Sequence, residues 1–360
     1  MKIARLGSIG LLALAATTAN ADTCVPGLPE AHANNAVAAS MSDGKAALFS
    51  FAGLKAGKTW RDTSRAAYMF KAGDTGWTRL PDLPVEGGRL AATAEAVGGK
   101  AYIFGGYSVA EDGSEVSRAE NFVFDPASGE YSRIADMPNP VDDAVSFVYD
   151  ARYIYIVSGW HNEGNVRDVQ VYDTTEDRWF NASDYPGSPV FGHAGGIVGN
   201  RFVIADGVAV VGESEDGKRQ FGTVNEGWMG IIDENDPSTI TYRRLPQLPG
   251  RGHYRMGGEG DAEGNRVLFV GGTPNAYNYN GIGYNGEPSK PQKHVFAWDF
   301  TKDNWVAYED KPIASMDHRG LVKWHGDWIT IGGLVEGRAV TGEVTSVAGK
   351  VTVCEQTSGH

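Results

Sequence analysis

The chain has 360 residues, 41% hydrophobic and 21% charged, with a formal net charge of −13. That acidity argues against a nucleic-acid binder, which needs a basic surface, and a mean hydropathy of −0.31 argues against an integral membrane protein. The 48 glycines point to many short strands and tight turns.

The first 21 residues read as a signal peptide. Lys2 and Arg5 form a basic start, Leu11 to Ala16 an apolar run, and Ala19-Asn20-Ala21 a small-residue cleavage site. The run is too short to span a bilayer, so export to the periplasm or the medium is expected, with the mature chain beginning at Asp22. Losing Lys2 and Arg5 takes the net charge from −13 to −15. The two cysteines, Cys24 and Cys354, stand near opposite ends of the mature chain. In an oxidising compartment they predict a disulfide. Closing so long a loop is worth up to about 4–5 kcal/mol in the chain-entropy view. No His lies at metal-ligand spacing from either, so no metal and no cofactor are expected.

From about residue 34 onward, one unit of roughly fifty residues repeats. Its clearest copy runs from Leu80 to Tyr131: an alternating run, Gly98-Gly99, Ala101 to Phe104, Gly105-Gly106, a loop, Asn121 to Asp125, and Tyr131. Alternation of branched and aromatic residues reads as strand, and Gly-Gly or Asp-Pro as turn. The doublet recurs as Ala52-Gly53, Gly105-Gly106, Ser158-Gly159, Asp206-Gly207, Gly271-Gly272 and Gly332-Gly333. A fourth-strand aromatic recurs as Trp77, Tyr131, Trp179, Tyr242 and Trp305, and a closing proline as Pro84, Pro138, Pro186, Pro249 and Pro312. Four strands at this period are the signature of propeller blades. The expected fold is an all-β, six-bladed propeller occupying 22–360 as one domain. Its blades span about 34–84, 85–138, 139–186, 187–249, 250–312 and 313–354. Residues 22–30, with Leu28-Pro29, supply the outermost strand of the last blade.

Two features predict a binding site. Aligning the units on their first strands places Asn35, Arg89, Asp143, His193, Arg255 and Arg319 in one register, at spacings of 54, 54, 50, 62 and 64 residues. First strands are innermost, so these side chains should ring one mouth of the axial channel, joined by His253, Asp317, His318 and Asp142. Three arginines against one ring aspartate predict a positive mouth suited to a carboxylate. Thr273 to Lys293, a long Asn- and Tyr-rich connection, belongs on the same face. Its Tyr277, Tyr279 and Tyr284 suit stacking on a sugar. The competing reading is that the ring arginines and histidines only pin blades together.

The doublets followed by Tyr- or Phe-Asp and Trp resemble the kelch repeat. The long loop of the fifth blade and Trp328 to Thr341 (W-I-T-I-G-G-L-V-E-G-R-A-V-T) are similar to the bacterial N-acetylneuraminate epimerase (sialic acid mutarotase) family. That resemblance implies interconversion of sugar anomers by an acid and a base. His193, His253, His318 and Asp143 are the candidates, with Arg89, Arg255, Arg319, Asn35 and the three tyrosines binding the sugar. The family's Gly-Glu after the second strand of blade four is replaced here by Asp206-Gly207-Val208, with Arg219 following. A non-catalytic kelch module that binds carbohydrate or protein is the alternative. The expected partner is a small anionic sugar bound by a monomer, with neither nucleic acid nor membrane engaged.

Overall fold

The computed structural model describes residues 24–349 apart from Asp43 and Pro249. The signal peptide, Cys354 and the closing Pro249 lie outside the described residues, and so does the expected Cys24–Cys354 pairing. Six antiparallel sheets succeed one another along the chain, and no α-helix occurs among the described residues. Among the described residues no helix is long and apolar enough to cross a membrane.

Blade 1 comprises Ala36–Ser42, Lys45–Leu54, Thr63–Lys71 and Thr78–Leu80 in simple order. Blades 2 to 5 repeat that meander, opening with innermost strands Thr93–Val97, Val145–Tyr149, Ala194–Val198 and Gly257–Asp261. Blade 6 shows Val322–Trp324, Asp327–Ile331 and Val344–Ser346.

The N-terminal segment completes blade 6. Leu83, Met137 and Tyr185, near the ends of blades 1 to 3, each donate from the backbone to Arg65, Ala119 and Arg167, beside the third strand of their own blade. Leu28 makes the equivalent bond to Gly342 (2.7 Å). The fourth-strand aromatics agree. Trp179 and Trp305 donate to the carbonyls of Ala135 and Pro246 at the end of the preceding blade, and Trp77 donates to Pro26 (2.7 Å). Val25 and Leu28 are buried with Phe70, Trp77, Trp324 and Ile329 in the core that joins blade 6 to blade 1. Aromatic and aliphatic residues from facing sheets fill the other junctions, such as Phe49, Phe51 and Phe124 between blades 1 and 2. A single sheet cannot cover both its faces, so the core is distributed between blades.

The glycine doublets explain how blades meet at the axis. Both residues of all six doublets have positive φ, a conformation glycine adopts without a steric penalty. The second residue donates its N–H to the next blade: Gly53 to Arg89, Gly106 to Val141, Gly159 to Val190, Gly207 to His253, Gly272 to Ser315 and Gly333 to His32. A side chain there has no room, since a Cβ at Gly106 would lie 2.6 Å from the Leu90 carbonyl.

Two residues after each of those acceptors comes a second tier. Asn34, Ala91, Asp143, Gly192, Arg255 and Asp317 all adopt left-handed φ, between 51° and 68°. Each donates its N–H to the carbonyl of the preceding member: Ala91 to Asn34, Asp143 to Ala91, Gly192 to Asp143, Arg255 to Gly192, Asp317 to Arg255, and Asn34 back to Asp317, at 2.7–3.4 Å. Six backbone hydrogen bonds therefore close a circle around the axis.

Candidate functional site

The backbone circle defines the register that the sequence alignment sought. Only Asp143 and Arg255 of the six aligned residues sit on it. Asn35 and His193 fall one residue later, Arg319 two later and Arg89 two earlier. Along an extended chain a one-residue offset turns a side chain to the opposite face, as for Asn35 and His193, and none of the four lines the ring-side cavity.

Asn35 donates to Ser50 Oγ and to the Ile331 carbonyl. Arg89 donates to the Gly105 carbonyl and stands 3.7 Å from Glu120. Asn35 thus links blades 6 and 1, while Arg89 ties together loops of blade 2. His193 Nε2 donates to the Val157 carbonyl (2.9 Å), and burial lowers its pKa to about 4, keeping it neutral. His253 pairs through Nδ1 with Asp206 (2.9 Å) between blades 4 and 5. His318 is bonded through Nε2 to Ser315 Oγ (2.7 Å), and burial, then Lys311 and Arg319, lowers its pKa. Among the described residues, none of the three histidines lines the ring-side mouth; His193 and His253 bridge neighbouring blades, and His318 is bonded within blade 6.

At the axis lies a buried ion cluster. Arg255 bonds Asp143 through Nε and Nη2 (3.2 and 2.5 Å) and Asp317 through Nη1 (2.8 Å), and Arg319 also pairs with Asp143. Tyr254 and Tyr277 pack side by side against the Arg255 guanidinium, with 4.9 and 5.0 Å from its carbon to the ring centroids. Burial pushes the Asp143 pKa up, but the charges of Arg255 and Arg319 pull it further down, so its net shift is downward. For Asp317 burial prevails over the same arginines and the net shift is upward. Two arginines thus meet two aspartates, and the expected surplus of positive charge at the mouth is absent. Long-range pairing across the ring cancels it.

Above the circle opens a cavity of about 340 Å³, lined by Tyr107, Asp142, Asp143, Trp160, Phe191, Phe221, Arg255, Asn278 and Tyr284, with Glu115 and Asn162 at its side. The strands feeding it are the short hairpins that follow the doublets: Tyr107–Val109 with Glu115–Ser117, Trp160–His161 with Gly164–Asn165, and Val208–Glu213 with Arg219–Thr223. The Tyr- and Asn-rich connection reaches the same face. Tyr284 packs on Phe221 with ring centroids 4.3 Å apart and lines the cavity. Tyr277 is buried beneath, donating to Asp317 (3.1 Å), and Tyr279 packs toward blades 1 and 2 beside Tyr107. Of the three tyrosines expected to contact a ligand, Tyr284 is the one on the cavity wall.

Asp142 is the residue that sequence reasoning placed too far down the order. It occupies the position just before the circle. The equivalent positions in the other blades are Ala33, Leu90, Phe191, Tyr254 and Met316, each joined by the same bridge to the residue after the doublet. A carboxyl at a site that is apolar in five blades is the signal that could have found it. Asp142 is only 5% exposed. Its Oδ2 accepts from Ser117 Oγ (2.7 Å). Burial first, then the charge of Asp143, raises its pKa well above the usual carboxylate range, with the Ser117 hydrogen bond and Arg255 opposing. Glu115, across the cavity, is raised to about 7 by burial, with Arg255 opposing and Asp143 assisting. Glu115 lies on an exposed hairpin, where solvent screens its charge more than that of Asp142.

Similarities to known proteins agree with this architecture. The kelch motif matches residues 88–138. A solved structure described as the structure of YjhT superposes with a TM-score of 0.67 over 89% of this chain and 95% of that one, at 15% identity. The fold is that of a six-bladed kelch propeller. N-acetylneuraminate epimerase of Pasteurella multocida is 23% identical over 309 residues, covering 72% of this chain and 78% of the relative. Kelch-like protein 15 of Gallus gallus is 30% identical over 135 residues, 37% of this chain. This kelch propeller matches only 26% of that relative's length.

Proposed function

We propose that the chain is an exported sugar-binding kelch propeller whose ring-side cavity also interconverts anomers. The observation that carries this reading is the buried Asp142 carboxyl facing an aromatic-walled cavity, at a position its five sister blades fill with apolar residues. Trp160, Phe191, Phe221 and Tyr284 offer faces to sugar C–H groups, and Asn162 and Asn278 offer amides to hydroxyls. Aromatic faces with a few convergent polar groups are the usual composition of a small-molecule site. The similarity to N-acetylneuraminate epimerase supports a sugar as the guest.

Opening a cyclic sugar requires a base to take the anomeric hydroxyl proton and an acid to protonate the ring oxygen as its bond to the anomeric carbon breaks. Reclosure from the other face of the resulting carbonyl returns both protons. A protonated Asp142 supplies the acid and Glu115 the base. Their environments differ as an acid–base pair requires.

Proton NMR of single-anomer sugars with the mature protein tests the proposal. Faster equilibration that is lost in Asp142→Asn is the expected result. Binding without any rate effect would leave a carbohydrate-binding module. The absence of binding by any sugar would favour a protein-interaction module.

A further inference from the structure

The charge balance of this cavity differs from what an acidic sugar needs. Four ionisable side chains other than tyrosine line it: Glu115, Asp142, Asp143 and Arg255. Arg255 is spent. Its Nε, Nη1 and Nη2 are already bonded to Asp143 and Asp317, and the Tyr254 and Tyr277 rings pack beside its guanidinium. Arg319 directs Nη1 to Asp143 from beneath the circle and lines the channel on the far side. These two arginines and two aspartates neutralise one another, and among the described residues neither Asp142 nor Glu115 has an ion-pair partner of its own. Arg219 stands at the rim, over Trp160 at 5.3 Å, with its Nη2 donating to the Glu163 carbonyl.

Asp142 adds an independent indication. Its Oδ2 is held by Ser117, while the carboxyl lines the cavity on a residue that is nine-tenths buried. Burying a carboxyl at a position the fold otherwise fills with an apolar side chain costs stability. A ligand group that donates to that carboxyl recovers the cost.

Building on the sugar-binding reading above, we infer that the cavity selects a sugar bearing a free ammonium group, a hexosamine, over acidic or N-acetylated sugars. The ammonium donates a charge-assisted hydrogen bond to Glu115 and a second hydrogen bond to the Asp142 carboxyl, while the ring lies against Trp160 and Tyr284. A carboxylate in the same place would face two carboxyls, with Arg255 already committed to Asp143 and Asp317. An N-acetyl group would remove the charge.

Titration calorimetry of the mature protein against glucosamine, N-acetylglucosamine and N-acetylneuraminate tests this. Glucosamine is expected to bind at least about tenfold more tightly than the other two, the size of one charged hydrogen bond. Asp142→Asn and Glu115→Gln should each erase most of that preference. Glu115 sits on an exposed hairpin, so its variant keeps the test valid if Asp142→Asn folds poorly. Tighter binding of N-acetylneuraminate, lost in Arg219→Ala, would overturn the inference while sustaining the sugar site. Equal affinity for glucosamine and N-acetylglucosamine would overturn it too, and binding of no sugar would overturn both readings.

Discussion

Replacing Arg255 with Met tests whether the axial ion cluster holds the propeller together. Arg255 makes three hydrogen bonds to two carboxylates, and the side chains of Arg255, Asp143 and Asp317 are at most 3% exposed. In the variant Asp143 keeps Arg319, whereas the Asp317 carboxyl keeps only the Tyr277 hydroxyl. Removing one partner of a buried pair costs about 3–5 kcal/mol, because the other is left as an uncompensated charge. The sign of the pH effect follows. Asp317 already has a raised pKa in the folded protein, with burial outweighing the pull of Arg255. Without Arg255 it rises further. A carboxyl whose folded pKa exceeds its unfolded value binds the proton more tightly in the native state, so its contribution is full at low pH and is lost as pH rises above the unfolded value. The deficit of Arg255→Met should therefore be largest at pH 7–8 and shrink toward pH 5. Adding Asp317→Asn should restore part of it at pH 7. Urea unfolding followed by tryptophan fluorescence measures all three proteins. A deficit below about 1 kcal/mol, or one indifferent to both pH and Asp317→Asn, would refute the reasoning.

Lys311 is buried, and burial lowers its pKa to about 7. The unfolded chain then holds a proton that the native state releases between about pH 7 and 10.5, so stability should rise with pH across that window. Lys311→Met should flatten the rise and increase the melting temperature at pH 7. Gly106→Ala, with φ 77° and a Cβ 2.6 Å from the Leu90 carbonyl, should cost about 2–4 kcal/mol in a urea titration. Gly129→Ala, at φ 73° in open space, should cost only about 1 kcal/mol, from backbone strain alone. N-terminal sequencing of the exported protein should begin at Asp22. Alkylation without reductant should leave both cysteines unlabelled, and reduction should expose two thiols.

Much of the fold was legible because its steric requirements recur. Paired positive-φ residues at each doublet leave a glycine signature six times over, and the outer aromatics Trp77, Trp179, Tyr242 and Trp305 recur because each reaches a carbonyl of the blade before it. Leu28-Pro29 announced the closing segment for the same reason. The site was less legible. The circle residues precede the first strands rather than open them, and they are chemically unlike one another: Asn34, Ala91, Asp143, Gly192, Arg255 and Asp317. Similarity of residue type therefore led the alignment to Arg89, His193 and Arg319 instead. The charge of the mouth could not be read in one dimension, since Arg255 is neutralised by an aspartate 112 residues away. The loop tyrosines divide by depth, and composition does not encode depth.

The circle of six backbone bonds also acts as a gauge of blade number. Its donors and acceptors all run in one rotational sense and return to their start, so their dipoles circulate and largely cancel along the axis. Each bond polarises the next, as in any hydrogen-bonded chain, but here no terminal donor or acceptor remains to be solvated. Adding or deleting a blade would change the circumference by one member and strain every link at once. Duplication of a repeat, the ordinary route by which such chains lengthen, would therefore be resisted at the axis before it was felt at the rim.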